Sequence, residues 1–433
     1  RILFSSVGKR GMQIVENKQG GNGWQAPTGR RTDEWSECLT LIADNEDRAA
    51  FTRLFRHFAP LIKAFALSGS SMSAAHADEL VQEVMLKVWQ KAKAFNPEKA
   101  AASTWVYTIA RNCRTDMFRR LQKFDTPLSA EDFSPDQEGE EPFAQLQSRR
   151  SGDKIRALMD QLPSDQAQIL AKVYMEGKSH AEAAAELDLP LGTVKSRVRL
   201  AIQKLQVHME NQYKTMAKFH PGLDLLTEHA AGILPLAQSA CVAAHLNYCE
   251  SCQRTVGQLQ EVGSSLFGEL DPAPVGESVL DSVLARLDEA PPLSFARPAE
   301  YEAGRTPAIL QRLMAGDFTE LVWKKITESL RISYLKTGDP NYEFALYHIK
   351  AGGKIPDHDH RGSEMTLVLQ GGFSDANGSY HEGDFIFRAE DDTHAPTALQ
   401  SEDCICLAVL DAPLKFTGWK YRWMNPFLQL RAG

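Results

Sequence analysis

His245, Cys249 and Cys252 are spaced HxxxCxxC. On a helix, positions i, i+4 and i+7 share one face within two turns, so the imidazole and two thiols converge. Two thiolates and one imidazole are donors of a tetrahedral structural zinc site that needs a fourth ligand. His220 is the best-placed candidate and His229 the second choice; the plainer alternative is two reduced cysteines beside a surface histidine. A second group lies further on, where His358, His360 and Glu364 fall between Gly352 and Gly371. Alternate residues of a strand point the same way, which puts this trio on one face of a strand pair, with His394 on a later strand. Three imidazoles and a carboxylate suit zinc, iron, manganese or nickel. Cys404 and Cys406, in the strand-like CICLAVL, face one side: they are open to redox use beside that metal or to service as small buried hydrophobes. His348 and His381 read as ordinary strand or surface histidines.

A different chemistry is written between Ser179 and Leu205, in SHAEAAAELDLPLGTVKSRVRLAIQKL. A helix capped at Ser179 and burying Ala181, Ala184, Ala185 and Leu187 is broken at Asp188–Gly192, and Thr193 caps a second. That pair is a helix-turn-helix, with Val194, Val198 and Ile202 inward and Lys195, Ser196, Arg197 and Arg199 turned toward phosphates and base edges. Upstream, Asp78, Glu79, Gln82 and Glu83 form a polar face opposite Val81, Val84, Met85 and Val88, an acidic offering to a basic partner. Trp105 and Tyr107 then share a helix with Arg111, Asn112, Arg114, Arg119 and Arg120, basic residues among aromatics as melted DNA requires.

The chain that must position these groups has 433 residues, 43% hydrophobic and 24% charged. This is room for two to four domains and excludes a peptide, a disulfide knot, wholesale disorder and a membrane bundle. The net charge of -8 hides a division: residues 1 to 215 carry 30 Lys+Arg against 27 Asp+Glu (+3), and the remainder 18 against 29 (-11). The charge-free run from His229 to Cys249 contains Pro235, Gln238 and Asn247, so no membrane span is expected. No apolar signal core follows Lys9 and Arg10, and seven clustered cysteines do not make a secreted framework; a reducing cytoplasm is expected. Helical periodicity covers Thr32 to Lys123 and Ser148 to His208, with an acidic linker around Asp125 to Glu141. A short helical Cys/His segment and a Pro-rich linker follow, and then apolar/polar alternation with glycine turns, which reads as antiparallel β.

Residues 48 to 208 resemble an extracytoplasmic-function sigma factor of bacterial RNA polymerase. DELVQEVMLKVW is similar to the core-polymerase-binding helix, FNPEKAAASTWVYTIARNCRTDMFRR to the segment that melts and reads the minus-10 element, and the helix-turn-helix to the minus-35 reader. The resemblance implies that Asp78, Glu79, Gln82 and Glu83 meet polymerase and that the basic residues above meet promoter DNA. From Met216, MAKFHPGLDLLTEHAAG and the HxxxCxxC resemble a ChrR-type anti-sigma factor: a zinc-binding helical domain, which wedges between the sigma domains, followed by a cupin. The first cupin motif matches in full. In the second, Ala389 replaces the usual Pro, Asp391 the Gly and Ala398 the Asn.

The expected architecture is therefore multidomain: two all-α sigma domains, the second with the helix-turn-helix, a small α zinc anti-sigma domain, and an all-β cupin barrel. Residues 1–31 form a flexible tail, 32–123 sigma domain 2, 124–147 the acidic linker, 148–211 sigma domain 4, 216–268 the anti-sigma domain, 269–307 the Pro-rich linker and 308–433 the cupin. The expected activity is regulated transcription initiation and not catalysis. Zinc sits in the anti-sigma domain and zinc or another divalent first-row metal in the cupin; the resemblance makes oxidants such as singlet oxygen the signal. The partners are core polymerase, promoter DNA and an intramolecular or separate-chain sigma/anti-sigma contact, with no membrane. The competing reading is a metal-dependent cupin enzyme carrying a DNA-binding module.

Overall fold

The computed structural model describes residues 2–5, 13–16, 33–69, 72–122, 126–133, 155, 158–159, 161–205, 217–288, 306–314, 318, 320–417 and 430–431. Within the expected tail, strand β1 (Ile2–Ser5) pairs antiparallel with β2 (Gln13–Glu16). Met216 and the join around it lie outside the described residues.

Four helices make the first block: α1 (Glu34–Asn45), α2 (Arg48–Leu67), α3 (Ala74–Lys91) and α4 (Ala102–Leu121). Asp33, Asp47 and Ser73 cap the first three, each side chain accepting from an otherwise orphaned amide of the first turn. The i, i+3, i+4 pattern does what it promises: Phe51, Leu54, Phe58, Val81, Val84 and Val88 are all buried. Part of the acidic stretch is packed and not solvated. The short 3-10 helix Ala130–Phe133 buries Ala130 and Phe133 against α4. Its carboxylates are neutralised there, Glu131 by Lys87 at 3.2 Å and by Lys91, Asp132 by Arg312 at 2.5 Å.

The second block holds α5 (Ser164–Tyr174), α6 (His180–Leu187) and α7 (Leu191–Leu205). Ser179 caps α6 in a reciprocal capping box with Glu182. The buried face of α6 is His180, Ala183 and Ala184; Ala181 and Ala185 are exposed and Leu187 only half-buried, a one-position rotation from the expected set. α7 also begins earlier than expected. The Pro190 carbonyl accepts the amides of Thr193 and Val194, so Thr193 lies inside the first turn and is not its cap. Val194, Val198 and Ile202 face inward as the spacing requires.

Next come α8 (Leu223–Ala231), α9 (Leu236–Leu246) and α10 (Glu250–Gly268). α10 packs on α8 and crosses α4, with further contacts to α2 and α5, and so stands between the two helical blocks. Gly263 permits the approach, since a Cβ there would lie 2.4 Å from the Tyr107 hydroxyl. Phe267 completes an aromatic cluster with Phe65 and Tyr107 at 5.8 and 5.7 Å.

The Pro-rich stretch is not merely a linker. It contains α11 (Glu277–Arg286), which lies on α3 and buries Val279, Leu280 and Val283. The Ser282 hydroxyl donates to Gln82 Oε1 at 3.4 Å, and Arg48 pairs with Asp288. Prolines on both sides mask a ten-residue amphipathic helix whose stability comes from the surface it covers.

A short helix α12 (Ala308–Met314) leads into the β domain. Its main sheet has the order β10 (Phe385–Arg388), β7 (Glu364–Gln370), β13 (Cys404–Leu410), β5 (Glu343–Ile349), β4 (Leu330–Tyr334) and β3 (Lys324–Lys325). Two three-stranded sheets complete it. One holds β11 (Thr393–His394), β6 (His358–His360) and β14 (Leu414–Phe416); the other holds β12 (Thr397–Ala398), β8 (Gly372–Asp375) and β9 (Gly378–His381). Strand pairing is antiparallel throughout, as the alternation implied. The central strands β5, β7 and β13 depart from that alternation and are buried nearly end to end. One face lines the interior with Ala345, Tyr347, Val368, Cys404 and Cys406, while the other, with Phe344, Leu346, Leu367, Leu407 and Val409, joins the core shared with the helices.

Candidate functional site

Cys249 ends the loop after α9 and caps α10, its sulfur accepting from the Cys252 amide at 3.4 Å, so the first turn of α10 presents both thiols together. His245 comes from the last turn of α9 and His220 from the segment before α8. Ligand atoms of His220, His245, Cys249 and Cys252 all lie within 4.8 Å of one another. His220 Nδ1 is 3.4 Å from Cys249 Sγ and 3.6 Å from Cys252 Sγ. A tetrahedral metal with bonds of about 2.3 Å to sulfur and about 2.0 Å to nitrogen sets its ligands roughly 3.5 Å apart. His245 donates through Nδ1 to the Gly383 carbonyl at 2.9 Å, which leaves its buried Nε2 without a partner and available to the cluster. The Cys252 thiol, as hydrogen-bond partner, and then the neighbouring histidines push Cys249 strongly toward thiolate; the same pairing holds the Cys252 proton. His229 is elsewhere: it is buried, bonded to Ser239 at 2.9 Å and pushed down to about 3 by burial.

The second cluster is built on strands. β6 supplies His358 and His360, β7 supplies Glu364, and β11 supplies His394 in register opposite His358. All four are buried with ligand atoms within 4.8 Å of one another. His358 Nδ1 donates to the Pro356 carbonyl at 2.9 Å and His394 Nδ1 to Asp375 Oδ2 at 3.1 Å, bonds that turn the opposite ring edges inward. Nε2 of His360 and of His394 is buried and unpartnered. Burial holds His360 and His394 below the usual histidine range, which keeps the imidazoles neutral as ligation requires. Burial alone would raise Glu364, but His360, His358 and His394, whenever protonated, outweigh it and hold the carboxylate below its ordinary range. Asp391 adopts φ 69° at the position where the usual motif has glycine. Cys404 and Cys406 are buried among the apolar residues of the barrel interior, and the Cys404 thiol and burial together hold Cys406 well above the ordinary thiol range. Both are packed here as small buried side chains, not as exposed thiols. His348 pairs with Asp403 at 2.8 Å and His381 is exposed, and neither belongs to the four-residue cluster.

The basic residues expected to meet DNA divide sharply. Lys195, Ser196 and Arg199 are exposed on α7 and Arg197 is half-buried. Lys195 is held at 2.8 Å by Asp224 at the start of α8, and Arg197 at 3.2 Å by Asp165. Arg111, Asn112 and Arg114 are not exposed: they retain 5%, 5% and 4% of their surface. Arg111 donates to the Ala230 carbonyl and to Asn112. Arg114 donates to the carbonyls of Phe65 at 3.0 Å and Met175 at 2.7 Å, which ties α2 to the end of α5; burial pushes it down to about 10, still a cation. Trp105 is half-buried against Phe95 at 5.4 Å, Arg119 lies over Phe133, and Arg120 reaches Glu83 at 2.6 Å. On α3, Asp78 pairs with Lys63 at 2.7 Å and Glu79 is exposed, while Gln82 touches α11. Glu228 on α8 accepts the His180 amide at 2.9 Å and Glu261 on α10 accepts the Thr104 hydroxyl at 2.8 Å. No motif marks these two acids; only docking gives them a task.

Three family models match the chain: Sigma-70 region 2 over residues 54–124, Sigma-70 region 4 over 152–205, and the ChrR Cupin-like domain over 311–412. The anti-sigma-E factor ChrR of Cereibacter sphaeroides is 37% identical over 213 residues, 49% of this chain and 99% of that protein. The ECF RNA polymerase sigma factor RpoE of the same organism is 40% identical over 181 residues, 41% of this chain and 96% of that protein. Among solved structures, Rhodobacter sphaeroides SigE in complex with the anti-sigma ChrR is 35% identical, covering 45% of this chain and all of that one, with a TM-score of 0.40. The chain belongs to two families at once, an extracytoplasmic-function sigma factor in its first half and a ChrR-type anti-sigma factor in its second, joined in one polypeptide.

Proposed function

We propose that this sigma factor is held inactive by its own C-terminal half, that the helical module is organised by a structural zinc at His220, His245, Cys249 and Cys252, and that the cupin is a sensor and not an enzyme. The carrying observation is the burial of Arg111 and Arg114 beneath α8 and α5. Residues suited to melted promoter DNA serve here as the cement between domains, and Lys195 of the recognition helix is occupied by Asp224. α11 lies over the polymerase-facing helix α3 at Gln82. Two thiolates and two imidazoles are the donors of a closed zinc site, and such sites contribute folding free energy directly. The His358, His360, Glu364 and His394 set suits zinc or another divalent first-row ion. The signal is an oxidant acting at the cupin, and work at promoters places the protein in the cytoplasm.

Tethering puts the inhibitor at an effective concentration on the order of millimolar. Release therefore comes from a conformational change, chain cleavage or loss of the zinc fold, not from dilution. Run-off transcription with core polymerase tests this on the full chain, residues 1 to 215, and a His245→Ala/Cys249→Ala double variant. The full chain is expected to be nearly silent and the other two active; three equally inert proteins would refute the reading.

A further inference from the structure

We propose that the cupin segment Asp375–Arg388 is a coupling clamp that sets the metal affinity of the Cys/His cluster according to the state of the cupin cluster. The proposal rests on the reading that both clusters hold metal.

Three consecutive cupin residues position two of the four Cys/His ligands. The Gly383 carbonyl accepts from His245 Nδ1 at 2.9 Å, which selects Nε2 as the ligand atom. Asp384 Oδ1 accepts the amides of Lys218 at 2.6 Å and Phe219 at 3.0 Å, and the Phe385 amide donates to the Phe219 carbonyl at 3.0 Å. The backbone that delivers His220 is thus gripped by the cupin immediately before the ligand. The other oxygen of Asp384 accepts the His381 amide at 2.9 Å, so a carboxylate with only 2% of its surface exposed is fully committed. Gly383 has φ 86°, and a Cβ on it would stand 2.9 Å from that of Tyr248, so the close approach needs glycine.

The far end of the segment grips the other cluster. Asp375, whose side chain is fully buried, accepts from His394 Nδ1 at 3.1 Å, from Arg388 at 2.8 Å and from the Tyr380 hydroxyl at 3.2 Å. Arg388 also donates to the Tyr380 oxygen at 2.9 Å, and the Tyr380 ring packs on Phe219 at 5.0 Å between centroids. A ligand of the cupin cluster is therefore connected through Asp375 and Tyr380 to the residue beside His220. Groups that orient metal ligands from behind are worth about 10- to 100-fold in metal affinity. In a segment anchored by hydrogen bonds at both ends, a shift at His394 is passed along it through Asp375 and Tyr380.

Cobalt(II) added to the metal-stripped full chain separates the two sites, because only the Cys249/Cys252 cluster gives a thiolate-to-cobalt charge-transfer band. Asp384→Asn, which keeps shape but sets an amide against the His381 N–H, and Gly383→Val are expected to weaken cobalt binding read by that band by about tenfold or more. His394→Ala, in the other cluster, is expected to weaken the same band's titration, and Tyr380→Phe to remove most of that dependence. Parental affinity and band shape in Asp384→Asn and His394→Ala alike would overturn the clamp. A parent chain that shows no such band would overturn the metal reading first, and the clamp with it.

Discussion

The helical Cys/His module and the cupin barrel each bring four side chains able to hold a metal together, yet they do so by opposite means. The cupin set comes from three strands of one barrel, oriented by Pro356 and Asp375 of that barrel. The Cys/His set comes from two helices and a preceding segment, and two of its ligands are positioned by another domain. The apolar packing follows the same division. The barrel interior is a separate cluster, whereas α8, α9 and α10 share one continuous core with the sigma helices and the outer face of the cupin sheet. A domain with its own interior carries its site with it; a module whose core is borrowed can be released as a unit when one of its supports fails.

The strongest way to break the comparison is to remove a ligand from each. Cys249→Ala should lose about one zinc per chain and the protection of α10 amides from hydrogen exchange, since structural zinc contributes about 10 kcal/mol or more to small domains. His394→Ala should leave β13 amides protected. If α10 stays as protected as in the parent, packing holds the module and metal does not. Next in size is the seam itself. Gly263→Val places a branched side chain against Tyr107 and should cost about 1–3 kcal/mol of docking, read as run-off transcription rising by roughly fivefold or more.

Acid sharpens the same seam. Burial pushes His180 down to about 4 in the docked state, between Glu228, Asp224 and Lys195, whereas a released histidine titrates near the ordinary 6.5. A group lowered on docking contributes fully above its free value, so docking should weaken as pH falls from about 6.5 toward 4; burial raises Glu228, which opposes the loss at the lower end. Transcription at pH 7 and 5.5, compared with His180→Gln, reads this as a change of about tenfold or less, absent in the variant. The smallest effect belongs to the Lys195–Asp224 pair, which is half-exposed. Asp224→Ala should loosen docking by about 0.2–1 kcal/mol, measured by hydrogen exchange in α7, and a larger loss would show that this contact is more than surface pairing.

The two donor clusters were legible because donor chemistry and spacing restrict each other: HxxxCxxC suits a helix turn, and HxH suits a strand. His220 over His229 was a choice that spacing favoured and geometry supports, since His229 is spent on Ser239. The helix-turn-helix was legible in its cap and in Val194, Val198 and Ile202, but the phase of α6 was not, because six alanines and glutamates in a row leave the buried face undetermined. Prolines on either side of α11 hide its ten-residue periodicity in the sequence. The acidic residues at 131 and 132 read as solvated because their partners, Lys87, Lys91 and Arg312, are distant in sequence.

Local order therefore determined which side chains could do chemistry: period 3.6 or 2 places a residue on a face without reference to the rest of the chain. Only the tertiary structure decided which of those faces are free. Arg111 and Arg114 carry the same charge and spacing whether they meet phosphate or backbone carbonyls, and their burial is set by helices more than 50 residues away. The grip of Gly383, Asp384 and Phe385 on His220 and His245 is of the same kind, since an amide or carboxylate shows no preference in sequence for the domain it will bond.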